Sequence, residues 1–236
     1  MSVTRLVLPG RPIVQGAVRV PPAAAHHARV ARLAAGEAVE LLDLEGNVGV
    51  GRLARWDGGS CWVDVDRVET GRGELPAPLV LALAALHTQA FDWAVEKATE
   101  LGATAVVPVI CGRVQGGRHA GRVQRWQRIA DSAVAQCGRS RPPAVVEPQS
   151  LSDFLTGSRG RRLVALAGAS MPARFRPDGD GVTLLVGPEG GFTEEEVVRI
   201  SSASFTGLPL GPRTLRAETA AVAALTLAQS LAGWLA

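Results

Sequence analysis

Two glycine-proline turns, each opening a helix, carry the residue types best suited to hold a small molecule. The first lies within residues 183–199. There Leu184, Leu185 and Val186 form the short apolar run of a doubly covered strand, and Gly187-Pro188 ends it. Behind the turn, Thr193 and Glu196 have the spacing of a capping box and Phe192 and Val197 that of a hydrophobic staple, while Glu194 and Glu195 sit where the helix dipole favours anions. Gly187, Pro188, Glu189, Gly190 and Gly191 therefore make a tight turn at the carboxyl end of a strand, where open α/β sheets bind ligands. Glycines there let the backbone approach a ligand and leave N–H and C=O groups free to read it.

The second turn, residues 208–219, presents Leu210, Gly211, Pro212, Leu215, Arg216 and Glu218 ahead of a long alanine-rich helix. Neither turn is a phosphate cradle. No Gly-Lys-Ser/Thr ending is present, and Gly187, Gly190 and Gly191 do not fit G-x-G-x-x-G, which disfavours a nucleotide hydrolase. Either turn alone is most often an ordinary connection. Two in succession, each opening a helix, point to a binding site.

Those turns need a sheet to hold them, and residues 75–236 have the pattern for one. Apolar runs at 79–86, 105–110, 162–167 and 184–186, with a further extended stretch at 204–210, alternate with helical segments at 91–101, 121–137, 150–155 and 193 onward. Such alternation implies a parallel sheet covered by helices. Pro108 inside its run predicts an edge or an irregular strand. Residues 1–70 differ, with five short strand-like segments and one helix at 26–33 at the spacing of a small barrel. The Gly/Pro-rich stretch 70–78 is the expected boundary, giving domains 1–72 and 75–236.

The net charge is only +3, yet seven arginines against the single acid Asp131 fall between 113 and 141: Arg113, Arg118, Arg122, Arg125, Arg128, Arg139 and Arg141, with His119. That excess suits an anionic partner such as RNA, or equally a solvated helix face in a chain whose one lysine is Lys97. Cys61, Cys111 and Cys137 are far apart and lack metal-ligand spacing, so they read as reduced cytoplasmic thiols and no metal is expected. His26 and His27 are adjacent and do not share a helix face. The start lacks a secretory signal, and the apolar run 217–236 is mostly alanine broken by polar residues, so neither export nor a membrane span is expected.

Val-Gly-Pro-Glu-Gly-Gly-Phe-Thr-Glu-Glu-Glu at 186–196 and Leu-Gly-Pro-Arg-Thr-Leu-Arg-Ala-Glu-Thr-Ala at 210–220 resemble the two cofactor-loop motifs of the RsmE family. The likeness extends to residues 26–37, 91–102 and 135–143, so it spans nearly the whole chain. It departs at His87, where lysine is usual, and at Gly112-Arg113, where Glu-Arg is usual. The resemblance implies an N-terminal PUA-like RNA-binding domain and a trefoil-knotted SPOUT domain in a cytoplasmic homodimer. It also implies transfer of a methyl group from S-adenosylmethionine to N3 of a uridine in 16S ribosomal RNA of the small subunit. The cofactor residues it implies are Leu185, Gly187, Pro188, Glu189, Gly190, Gly191, Leu210, Gly211, Leu215 and Arg216. Arg5, Arg32, Arg113, Arg122, Arg125 and Arg139 are the expected RNA contacts.

Such chemistry is mostly positioning, plus removal of the uracil N3 proton. Arg216 is the expected electrostatic or orienting group and Glu218 the expected base, since both sit at the helix start after the second turn. An acid and an arginine at a helix start also have a plain capping role. The other readings are a SPOUT-like enzyme acting on a different RNA, and a non-catalytic RNA-binding or ribosome-assembly module.

Overall fold

The computed structural model describes residues 3–85, 87–113 and 121–235, so Leu86, Arg118 and His119 lie outside the described residues. The chain divides into two compact units, residues 1–74 with 131–142, and residues 75–130 with 143–236. Residues 131–142, expected with the second domain, thus group with the first unit.

In the first unit, β1 (Thr4–Val7), β2 (Gly16–Val20), β3 (Ala38–Leu42), β4 (Asn47–Asp57) and β5 (Ser60–Thr70) form one sheet in the order β1-β3-β4-β5-β2. Only the β1–β3 pair is parallel. Helix α1 (Pro22–Val30) starts four residues earlier than the sequence pattern predicts, because Pro22 sits in its first turn, where the missing N–H costs nothing. The core under the sheet is apolar and includes Leu6, Val20, Ala25, Ala28, Leu41, Leu53 and Val63.

One charged cluster organises this unit. Glu40 is 9% exposed and accepts from Arg5 at 2.9 Å and from both terminal nitrogens of Arg72 at 2.7 Å. The Arg72 guanidinium, with Arg5 beside it, holds the Glu40 carboxyl below the ordinary glutamate range against the opposing effect of burial.

In the second unit β6 (Leu79–Ala84), β7 (Ala105–Ile110), β8 (Ala144–Val145), β9 (Gln149–Ser150), β10 (Arg161–Ala165), β11 (Val182–Val186) and β12 (Thr206–Leu208) form an all-parallel sheet. Its order is β12-β10-β11-β6-β7-β8, with β9 also on β7. Alternate side chains feed two cores, as a sheet buried on both faces requires. Leu79, Leu81, Leu83, Leu163, Leu184 and Val186 pack with α2 (Thr88–Glu100) and α6 (Ala217–Leu231), as does Trp126 of α3 (Val123–Cys137). Ala82, Ala84, Val164 and Leu185 face α4 (Leu151–Gly157) and α5 (Glu194–Ser202) instead.

Pro108 is not at the sheet edge. It pairs with Leu83 of β6, while on the other side β8 meets Ala105 and Val106 and β9 meets Val109 and Ile110. The residue without an N–H therefore falls opposite the break between two short strands. Helix α6 buries Ala217, Ala221, Ala224, Leu225 and Ala228 on one side, and its buried Gln229 donates to the carbonyl of Leu101 at the end of α2 at 2.8 Å. Among the described residues no helix is long and apolar enough to cross a membrane.

A carboxylate whose pKa is depressed on folding contributes stability that is present above the ordinary glutamate value and is lost as pH falls through the lowered one. Glu40→Gln is expected to destabilise the protein by about 2 kcal/mol at neutral pH and to flatten its acid limb. Urea midpoints measured against pH check this, and an acid limb identical to the parent's would contradict it.

Candidate functional site

Strands β10, β11 and β12 lie side by side, and the chain passes from β11 through α5 to β12 on the far side of β10. Strand order reverses there, which leaves a crevice beyond the carboxyl ends that no packed connection fills. The loops after all three strands face one cleft of about 470 Å³. The β11 loop contributes Gly187, Pro188, Glu189, Gly191 and Phe192, and the β12 loop contributes Leu210, Gly211, Pro212, Arg213, Thr214 and Leu215. The third wall, Ala165, Leu166, Ala167 and Gly168 after β10, was not among the sequence candidates. Its small, apolar residues carry no motif; only the position of β10 between β11 and β12 marks them.

Local sequence explains the shape of the β11 loop. Gly191 has φ +70°, and its N–H closes the turn on the Pro188 carbonyl at 2.8 Å. A side chain at Gly187 would come within 2.8 Å of the Phe192 ring, so the glycine is what lets that ring fold over the strand end. Thr193 then caps α5, accepting from the Glu196 N–H at 3.2 Å, while Glu196 accepts from the Thr193 N–H at 2.8 Å. The capping box read from the sequence is therefore present.

Three expected cofactor residues do not line the cleft. Leu185 is fully buried and, by the alternation of β11, points to the α4/α5 face; its neighbour Val186 reaches the cleft instead. Gly190 is in the turn, with its carbonyl bound by Arg113 at 2.8 Å. Arg216 is the N-cap of α6, exposed, and its side chain makes no capping hydrogen bond. Leu215 and Ala217 on either side are both in the wall, whereas Arg216 is not. Glu218 is half-buried in the first turn of α6 and is not in the wall.

The expected RNA contacts separate into two kinds. Arg139 is 4% exposed and ion-paired to Glu74 at 2.6 Å, so its guanidinium is engaged within the first unit. The same Glu74 carboxylate accepts from Ser140 and Arg141 N–H groups, which makes it the anchor of that turn. Arg5 donates to the carbonyls of Ala135 and Gln136 at 3.1 and 2.7 Å, placing its charge at the end of α3, where the helix dipole favours a cation. Arg32, Arg113, Arg122 and Arg125 remain accessible to differing degrees. Arg125 is ion-paired to Asp92 at 2.6 Å with its side chain still 61% exposed, and Arg122 bonds Thr88. Arg32 is exposed, with φ +55°.

Burial, and behind it the charge of Glu196, push the Cys111 thiol up to about 12, which disfavours the thiolate. Among the described residues no group of three His, Cys, Asp or Glu is placed to hold a metal ion.

Fold and site together define an α/β protein with a ligand cleft at a reversal of strand order, walled by backbone turns and apolar side chains. The model of the RNA methyltransferase domain matches residues 73–229. The ribosomal RNA small subunit methyltransferase E of Synechocystis is 31% identical over 238 residues, covering 96% of this chain and 77% of that relative. The protein of the same name from Mycobacterium bovis is 32% identical over 228 residues, covering 85% of this chain and 80% of its own. The crystal structure of a ribosomal RNA small subunit methyltransferase E from Neisseria gonorrhoeae bound to S-adenosyl methionine superposes with a TM-score of 0.86 at 31% identity, over 98% of each chain. The chain belongs to the RNA methyltransferase family, within its ribosomal RNA small subunit methyltransferase E group.

Removing one partner of a buried ion pair strands the other charge. Arg139→Ala is therefore expected to lower stability by roughly 3 kcal/mol, whereas Arg32→Ala stays within about 0.5 kcal/mol of the parent. Urea denaturation of the two variants side by side tests this structural role of Arg139, and equal midpoints would refute it.

Proposed function

We propose that this protein transfers a methyl group from S-adenosylmethionine to N3 of a uridine in 16S ribosomal RNA of the small subunit. The observation that carries the reading is the convergence of both glycine turns, with the loop after β10, on one cleft. The donor set suits this cofactor. The cleft has apolar walls at Val186, Leu210 and Leu215 for an adenosine, and turn amides and carbonyls at Gly187–Gly191 and 210–214 for polar edges. Neither turn has the lysine-bearing ending of a phosphate cradle, and this cofactor has no phosphate. Gly187, Pro188, Glu189, Gly191, Leu210, Gly211 and Leu215 would hold it. When bound, it supplies an electrophilic methyl group on a sulfonium centre.

The chain's own task is then to hold the uracil edge in line and deal with one proton. Uracil N3–H is a weak acid, and the ring becomes negative as the proton leaves. Arg216, between two wall residues and uncommitted to the helix cap, is the group assigned to stabilise that charge. Glu218, in the first turn of α6, is the assigned proton acceptor, directly or through water. N3 lies on the pairing edge, so the target base must be unpaired or extruded. Arg32, Arg113, Arg122 and Arg125 are assigned to the flanking backbone, with the first unit acting as a PUA-like RNA-binding domain.

The order β12-β10-β11, in which the chain passes from β11 to the far side of β10, supports a trefoil-knotted path of SPOUT type. The same reading makes the protein a cytoplasmic homodimer.

Purified small subunits lacking N3-methyluridine are the substrate for the test. The parent is expected to restore the modification, detected by mass spectrometry of nuclease digests, and Arg216→Ala to lower kcat by about 100-fold. Parent protein that binds S-adenosylmethionine yet methylates another RNA, or that binds none, would overturn the proposal in favour of a different substrate or a non-catalytic module.

A further inference from the structure

The carboxylate of Glu196 does more than close the capping box. It is 5% exposed, and its two oxygens serve two different segments: Oε2 accepts from the Thr193 N–H at 2.8 Å, and Oε1 accepts from the Gly112 N–H at 2.7 Å. Thr193 follows the β11 loop, and Gly112 follows β7, which is separated from β11 in the sheet by β6. Next to Gly112, Arg113 donates to the Gly190 carbonyl inside the β11 loop at 2.8 Å. Two bonds from one short segment therefore hold the Gly190 carbonyl within the turn that walls the cleft and the Glu196 carboxylate at the helix start just behind it.

The chemistry of these bonds is selective. Both oxygens of Glu196 receive N–H donors, which only a carboxylate satisfies; a glutamine would set its NH₂ against one of them. Bonds of this charge-assisted kind are among the stronger ones, and near a helix N-terminus the anion gains further from the dipole. Gly112 packs directly beside this pair: a Cβ there would lie in ordinary van der Waals contact with the Thr193 methyl at 3.4 Å and Glu196 Oε1 at 3.6 Å.

We infer that Glu196 is a positioning residue for the methyl-donor site, and that with Arg113 it fixes the Gly187–Gly191 turn in its binding shape by tying it to the segment after β7. The inference rests on the methyl-donor reading of the cleft. Arg113 thereby has a role in cofactor binding that does not depend on RNA.

Calorimetry with S-adenosylmethionine in the absence of RNA tests it on the full chain. Glu196→Gln is expected to weaken binding at least 10-fold, and Arg113→Ala 3- to 10-fold. Thr193→Ala removes the hydroxyl of the capping box but keeps both Glu196 bonds, and is expected to weaken binding less than 3-fold. In methyl-transfer kinetics the Glu196→Gln deficit should appear as a raised KM for the donor, with kcat at saturating donor within 3-fold of the parent.

A purely helix-capping role predicts instead that Thr193→Ala and Glu196→Gln weaken binding alike, and that result overturns the inference, as does parent-like affinity in both Glu196→Gln and Arg113→Ala. Should Glu196→Gln not fold, the exposed Arg113 variant decides alone: affinity within 2-fold of the parent sinks the clamp. Failure of the parent itself to bind the donor would sink the reading of the cleft, which is a separate outcome.

Discussion

The reversal of strand order at β10 is the constraint on which the second unit depends. Parallel strands need long connections, and these normally pack helices over the sheet and its ends. With β11 on one side of β10 and β12 on the other, the three loops that leave their carboxyl ends open a gap instead of closing one. The rest of the unit keeps that gap in register. Two apolar cores clamp the sheet from both faces, and the alanine side of α6 lets that helix lie close beneath the strand ends it helps to wall.

Arginine is used in this chain for three physically different purposes. Arg139 and Arg5 are structural, the first neutralising a carboxylate that organises a turn and the second finishing a helix. Arg113 is a tether between segments of the second unit. Arg216 and Arg32 keep exposed side chains, and the substrate would meet such groups first. Guanidinium suits all three because it offers several donors in a fixed plane and stays charged when buried. A local count of positive charge therefore overstates how much of it faces a partner.

Most of the second unit was legible in the sequence. The apolar run 184–186 gave a strand covered on both faces, Thr193 and Glu196 gave a capping box, and residues 150–155 gave a short helix, each because the relevant contact is made within a few residues. The two turns were legible as a site because glycine and proline mark backbone that must be exposed. What stayed hidden depends on partners distant in sequence. Nothing near 165–168 announces a wall; it becomes one only when β10 lands between its neighbours. The second duty of Glu196 needs Gly112, 84 positions away. Arg139 reads as a surface charge until Glu74 is placed against it. A fully apolar strand has no alternation to show which side chains point where, so only the structure separates Val186, in the cleft wall, from Leu185 on the other face.

The position of Arg216 separates two kinds of selection. Its main chain starts α6, with its carbonyl receiving the Ala220 N–H, while its side chain has no part in the cap. Folding thus depends on that backbone and hardly on the identity of what projects from it. Replacement there removes no capping hydrogen bond, so the residue type at this position can drift across generations while the helix still begins at the same place.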